Sequence, residues 1–141
     1  MKTTHVKPQA PHWILIDADG KVLGRIATKI VMILRGKNRA DWSPHMISGD
    51  HVVIINAAKL KMTEAKYWRK TYFKHSGYLG HMKATPLKQM MERRPVEVIE
   101  KAIYGMLPDN RLRAQALKRL HVFAGTEHDH TAQKPVPLSL S

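Results

Sequence analysis

The apolar run Trp13-Ile14-Leu15-Ile16 ends in Asp17-Ala18-Asp19-Gly20, whose Asp and Gly residues favour a turn, so the pattern predicts a buried strand entering that turn. Leu23, Ile26, Ala27, Ile30, Ile33 and Leu34 then recur at spacings of three and four, which gathers them on one stripe of a helix. Arg25, Lys29 and Arg35 fall on the rest of its surface, and Gly36 is a natural stop. A polar connection follows over residues 37–49, long enough to suggest a functional loop. The pattern then changes to His51-Val52-Val53-Ile54-Ile55-Asn56, a continuous β-branched run that predicts a strand covered on both faces. Strand, helix and buried strand in that order predict a βαβ unit with parallel pairing and a right-handed crossover.

Residues 59–74 break this regularity. Lys59, Lys61, Lys66, Arg69, Lys70 and Lys74 stand there against Glu64 and are interleaved with Tyr67, Trp68, Tyr72 and Phe73. The tail of the segment reads as extended, with Trp68, Lys70, Tyr72 and Lys74 on one face and Tyr67, Arg69, Thr71 and Phe73 on the other. Beyond a loop over residues 77–80, Thr85-Pro86 is expected to start a helix, with Thr85 as its N-cap. Pro95 restarts it, and Val96, Ile99, Ala102, Ile103 and Met106 form a second helical stripe. Gly105-Met106-Leu107-Pro108 ends that helix, residues 110–117 predict a short basic one, and Leu120-His121-Val122-Phe123 predicts a last short strand. No internal repeat is visible. The expected organisation is an N-terminal arm over residues 1–12, a single α/β domain over residues 13–125, and a tail over residues 126–141.

Charge decides what such a scaffold is for. Among 141 residues, 24 Lys and Arg oppose 11 Asp and Glu, a formal net charge of +13, and a compact chain this unbalanced is best understood held against a polyanion. No stretch approaches the roughly 20 apolar residues of a spanning helix, so nucleic acid leads over a membrane surface as the partner. Cysteine is absent, which excludes disulfides, thiolate nucleophiles and Cys-based zinc sites and suits a reducing compartment. The first dozen residues carry no apolar signal core and no Arg-rich amphipathic pattern, and they read as the arm of a cytoplasmic protein.

In residues 59–74, phosphate-seeking charges sit beside rings able to stack on unpaired bases, the pairing expected for recognition of RNA loops and single strands. Aromatic residues in strands are more often core than base platforms, whereas the Lys and Arg around them need only reach phosphate. Other chemistries are poorly supported. Gly20 and Gly24 follow Asp17 at a strand-to-helix turn, yet G-x-G-x-x-G and a Gly-Lys-Ser/Thr ending are both missing; Gly20 is expected to supply a turn and Gly24 a close approach to the strand or to a partner backbone. His121, His128 and His130 with Glu127 and Asp129 suggest a metal, but no H-E-x-x-H fixes ligand geometry, and a flexible tail is a poor support for catalysis. No catalytic residue, cofactor or metal is therefore assigned.

Taken in order, the segments resemble the universal large-subunit ribosomal proteins of the L-thirteen family, in their bacterial form. The resemblance runs nearly end to end. It is carried by residues 13–18 with Gly20 and Leu23-Gly24-Arg25, by Leu34-Arg35-Gly36-Lys37, by Ser43-Pro44-His45 leading to Gly49-Asp50, and by Val53-Ile54-Ile55-Asn56-Ala57. It continues through Tyr72-x-x-His75-x-Gly77-Tyr78, Arg94-Pro95, Gly105-Met106-Leu107-Pro108 and Phe123-Ala124-Gly125-x-Glu127-His128-x-His130-x-Ala132-Gln133-x-Pro135. The chain departs from the family where a Thr-Gly turn is replaced by Thr63-Glu64 and a Gly-Pro-Leu-Gly-Arg segment by Asp109-Asn110-Arg111-Leu112-Arg113.

The resemblance implies a three-layer α/β/α domain around a small, mostly parallel four-stranded sheet with basic extensions at both ends. It also implies a non-enzymatic constituent of the large ribosomal subunit that binds large-subunit ribosomal RNA early in assembly, beside neighbouring ribosomal proteins. On matching positions it places RNA contacts at Arg25, Arg35, Lys37, His45, Tyr72, His75, Gly77, Lys118, His128, His130 and Gln133, with Gly77 allowing close backbone approach. Charge alone adds Lys70, Lys74, Lys83, Arg111 and Arg113. A free-standing RNA-binding chaperone or translational regulator would share the charge. An RNA-processing nuclease would need a metal-dependent rate.

Overall fold

In a computed structural model, residue 7 and residues 9–139 are described; Lys2, most of the expected arm and the end of the expected tail lie outside them. Strand β1 (Trp13–Asp17) leads through the Gly20 turn into helix α1 (Leu23–Arg35), and strand β2 (His51–Ile55) follows the connection at residues 37–50. A 3-10 turn (Ala57–Lys59) and helix α2 (Glu64–Arg69) precede a hairpin of β3 (Thr71–His75) and β4 (Met82–Pro86). Helices α3 (Leu87–Arg93), α4 (Pro95–Met106) and α5 (Leu112–Leu117) then lead to β5 (Leu120–Val122) and β6 (Val136–Pro137).

The α/β class and the four-stranded sheet are as expected. Its order is β5-β2-β1-β6 and every pairing is parallel, with β1 against β2 as the βαβ pattern required. Parallel register places Ile14, Ile16, Val52, Ile54, Leu120 and Val122 on one face, where they form the larger core cluster with buried residues of α1, Ile99 and Ile103 of α4, and Ala116 of α5. Val52, Val53 and Ile54 are all fully buried, so β2 is covered on both faces. Six α1 residues enter the core, including Val31, which lies beside the predicted stripe. The stripe is wider than its spacing suggested because α1 packs against both β2 and α4. Each large aliphatic side chain so buried contributes about 1.5–3 kcal/mol.

Four expectations are corrected. Tyr67, Trp68 and Arg69 belong to α2, and the extended segment begins at Thr71. Thr85 lies in β4 and caps nothing; the next helix opens at Leu87 with Pro86 at its N-cap. On α4 it is Val98, absent from the predicted stripe, that is fully buried, under Leu87 and Met90 of α3, while Met106 is exposed. Lastly, β5 is followed by β6, whose Val136 and Pro137 pair with Ile14 and Leu15, and Leu138 donates its N–H to the Leu15 carbonyl at 2.8 Å.

The segment expected to be a flexible tail therefore runs onto the sheet. On the sheet face opposite α1, Trp13 and His51 stack with centroids 4.3 Å apart, His121 lies 5.3 Å from Trp13, and His130 closes on His121 at 4.3 Å. Buried His51 Nδ1 and His121 Nε2 have no hydrogen-bond partner among the described residues. Burial holds both imidazoles below their ordinary range, aided at His51 by Arg119 and His130 against Asp50, and at His121 by His130 and His51. The folded chain thus binds fewer protons here than the unfolded one. Stability should be full above about pH 6.5 and fall as the pH drops through that value toward the depressed pKa values. Melting curves between pH 8 and pH 5 should show Tm falling on the acid side, and a His51→Gln/His121→Gln double variant should flatten that slope. An equally steep slope in the variant would mean that other groups control it.

The polar connection is built around a buried ion cluster that sequence reasoning did not single out. Arg39 bonds Asp41 at 3.0 Å and Asp50 at 2.7 Å, with all three side chains nearly excluded from solvent. Asp41 and Asp50 also accept the backbone N–H groups of Gln9 and His12, so the cluster ties the arm to the domain. The Gln9 N–H and the Arg39 guanidinium hold Asp41 below the ordinary carboxylate range.

Candidate nucleic-acid interface

The hairpin β3–β4 carries the densest group of expected contacts. Its register sets Tyr72 opposite Thr85, Lys74 opposite Lys83 and His75 opposite Met82, with Gly77 at the tip and a φ of 93° that only glycine adopts without strain. Two lysines directly opposite one another destabilise a hairpin by repulsion, and both are exposed. Phe73, Tyr78, Leu79 and Met82 are also largely exposed, so the hairpin presents rings and cations together. The Gly77 N–H donates to His75 Nδ1 at 3.0 Å, which tucks that ring over the turn.

Tyr72 is different from its neighbours. It is half-buried against Leu87, Met90 and Val98, its hydroxyl lacks a hydrogen-bond partner among the described residues, and burial raises its pKa. Lys70 Nζ and Lys101 Nζ lie 4.8 Å and 5.2 Å from its ring centroid. Tyr72 fastens the base of the hairpin, whereas Phe73, Tyr78 and Trp68 are exposed, Trp68 lying under Lys88 Nζ at 4.8 Å.

At that base a cleft of about 740 Å³ opens between the hairpin, α3 and α4. Lys74, Lys83, Arg93, Arg94 and Lys101 line it, with Glu97 among them. Arg93, Arg94 and Lys101 do not stand out in the sequence because they lie on or between helices remote in the chain from Lys74, and only the fold brings them to the hairpin; the Arg93-Arg94 doublet was the available signal.

The other expected residues form a second and a third region. Arg25 is exposed in the first turn of α1, whereas Arg35 ends that helix and lines a crevice with Trp42, Pro44 and Arg113. Lys37 lies beyond Gly36 with its Nζ 5.8 Å from the Trp42 ring, and His45 is exposed in the same connection. Among the described residues outside its own helix turn, Gly24 meets nothing within 4 Å of an added Cβ, so the expected close approach to the strand is absent. Arg111 and Lys118 flank α5 and are exposed. Arg113 instead points inward: its guanidinium donates to the carbonyls of Pro108 and Leu107 at 3.1 and 3.3 Å and lies over Tyr104. His130 is packed among Trp13, His121 and Phe123; His128 lies 6.2 Å from Phe123 and accepts the His130 N–H, while Gln133 is exposed.

Among the described residues no His, Asp and Glu group is disposed to hold a metal, and no helix is long and apolar enough to cross a membrane. The arrangement offers exposed cations and rings on a rigid support.

Comparison with known proteins agrees with the resemblance. The profile of the family described as ribosomal protein L13 matches residues 11–129. The chain is 50% identical to the large ribosomal subunit protein uL13 of Symbiobacterium thermophilum over 99% of both chains. It is 48% identical to that of Thermus thermophilus, over 99% of this chain and 100% of the relative, and 47% identical to that of Lawsonia intracellularis, over 99% of both. With the match spanning three of the four sheet strands, the hairpin and helices α1 to α5, the chain belongs to the ribosomal protein L13 family, a family of structural, non-enzymatic components.

Proposed function

We propose that this protein is a constituent of the large ribosomal subunit that binds large-subunit rRNA directly and supports early subunit assembly in the cytoplasm, beside neighbouring ribosomal proteins. The observation that carries direct binding is the hairpin: Lys74 and Lys83 face each other across its register, a repulsion that an intervening phosphate would relieve. Arg25, Lys37, His45, Lys70, His75, Gly77, Arg111, Lys118 and Gln133 extend the contact surface, and Arg35 meets RNA at the crevice rim. Arg113, His128 and His130 support it mainly by holding the α4–α5 turn and the C-terminal segment in place. Residues 13–125 carry most of the scaffold in this reading, completed by the β6 strand, and the loop between β5 and β6 is offered to the RNA beside it.

Binding of the full chain to deproteinised large-subunit rRNA should weaken steeply with salt, the logarithmic slope having a magnitude of about 0.7–0.9 per phosphate neutralised. The protein should also remain with large subunits sedimented at high salt. A nearly flat salt dependence would contradict the electrostatic basis of binding, and release from subunits would favour a free-standing RNA chaperone or regulator.

A further inference from the structure

We propose that the cleft between the β3–β4 hairpin and the α3–α4 junction holds one RNA phosphodiester strand, with Arg93, Arg94 and Lys101 gripping it opposite Lys74 and Lys83, and that Glu97 occupies a phosphate's place in the unbound protein. This rests on the RNA-binding reading of the hairpin and adds to it a site, three residues and an internal competitor.

The five cations come from four places in the fold: β3, β4, the α3–α4 junction and the second turn of α4. Against them the cleft lining supplies one carboxylate. A single small anion would leave most of that charge unpaired, whereas successive phosphates of an extended strand would match it along the cleft.

Glu97 is placed to act as the stand-in. One of its oxygens accepts from the Arg94 guanidinium at 2.8 Å and the other lies 3.8 Å from Lys101 Nζ. Arg94 is the first cause of its lowered pKa, and Lys101 and Lys74 contribute as well. The carboxylate thus pairs with cations of the junction and α4, with Lys74 of the hairpin near enough to be felt electrostatically. Both ion pairs are largely exposed to solvent, and pairs of that kind hold weakly enough to exchange for a better anion. Arg93 lines the cleft, is exposed and has no ion pair among the described residues, so it is available to a ligand from the start.

Filter binding of the full chain to deproteinised large-subunit rRNA, with salt titration, tests this. Glu97→Gln should tighten binding about threefold to tenfold, because Arg94 and Lys101 lose their competitor, while Tm stays close to that of the parent. Arg93→Glu/Lys101→Glu should weaken binding at least tenfold and reduce the salt slope by about 1.5, two phosphate contacts being lost. A Gln-for-Glu variant that binds no better, or a double variant that binds like the parent, would overturn the cleft assignment while leaving the hairpin's role intact. A parent protein without steep salt dependence would overturn both. Polyglutamate serves as the acidic-protein arm: if the double variant lost polyglutamate binding and kept rRNA binding, the cleft would belong to an acidic protein surface and the proposal would fail.

Discussion

Gly49→Ala will destabilise the fold by at least about 3 kcal/mol, the range of severe backbone and core lesions, and lower Tm by roughly 10 °C or more. An added Cβ at this position overlaps the carbonyl carbon and oxygen of Leu34 and comes within 2.7 Å of the Ile33 oxygen. These are backbone atoms of the last turn of α1, so no rotamer change relieves the overlap. The chain is held there from both sides: the Asp50 N–H donates to the Ile33 carbonyl at 3.3 Å, and Arg119 donates to the Gly49 carbonyl. At Gly36, likewise, a Cβ would meet the Ser48 carbonyl carbon at 2.7 Å, so two glycines make one crossing of helix end and returning loop. Gly24→Ala is the matched control. Its Cβ would meet open space inside a helix, and Ala there should be neutral or stabilising by up to about 1 kcal/mol. Urea unfolding followed by circular dichroism separates the two; equal midpoints for Gly49→Ala and the parent would show that the crossing is not tight.

The Lys74→Glu/Lys83→Glu double variant will bind large-subunit rRNA about thirtyfold more weakly near physiological salt, two phosphate contacts at about 1 kcal/mol each. Its melting temperature should change little, since one like-charged pair replaces another at exposed positions. The single Lys83→Glu variant is more informative. It creates an opposite-charge pair across the register, which should favour the hairpin by about 0.2–1 kcal/mol while RNA binding falls. Stability and binding moving in opposite directions would show that the lysine pair is kept for its ligand. Parallel losses of both would mean that the pair serves the fold.

The legible parts of the chain share a physical property: their side-chain spacing reports burial against something large. The apolar run of β1, the three- and four-residue spacing of α1 and the β-branched run of β2 each announce a covered face, and those elements form where expected. Helix α2 and the hairpin give no such signal. Among residues 64–69 none is fully buried, and most of β3 and all of β4 but Thr85 are exposed, so the mixture of rings and cations fits either period. The short β6 contains a proline and only two paired residues, too little for a pattern. At the candidate site, Lys74 and Lys83 were named from charge, whereas their facing positions follow from hairpin register.

By itself the sequence determined the α/β class, the parallel βαβ start and the excess of positive charge, because periodicity and composition are local sums that each segment carries with it. Tertiary structure alone decided which charges act together and which are consumed internally. Arg39 disappears into a cluster with Asp41 and Asp50, Arg113 into helix-end carbonyls, and Arg93, Arg94 and Lys101 meet the hairpin at one cleft. The physical reason is distance. An ion pair or an atomic overlap depends on a few ångströms between residues far apart in the chain, and folding sets that separation through α1, α4 and the sheet.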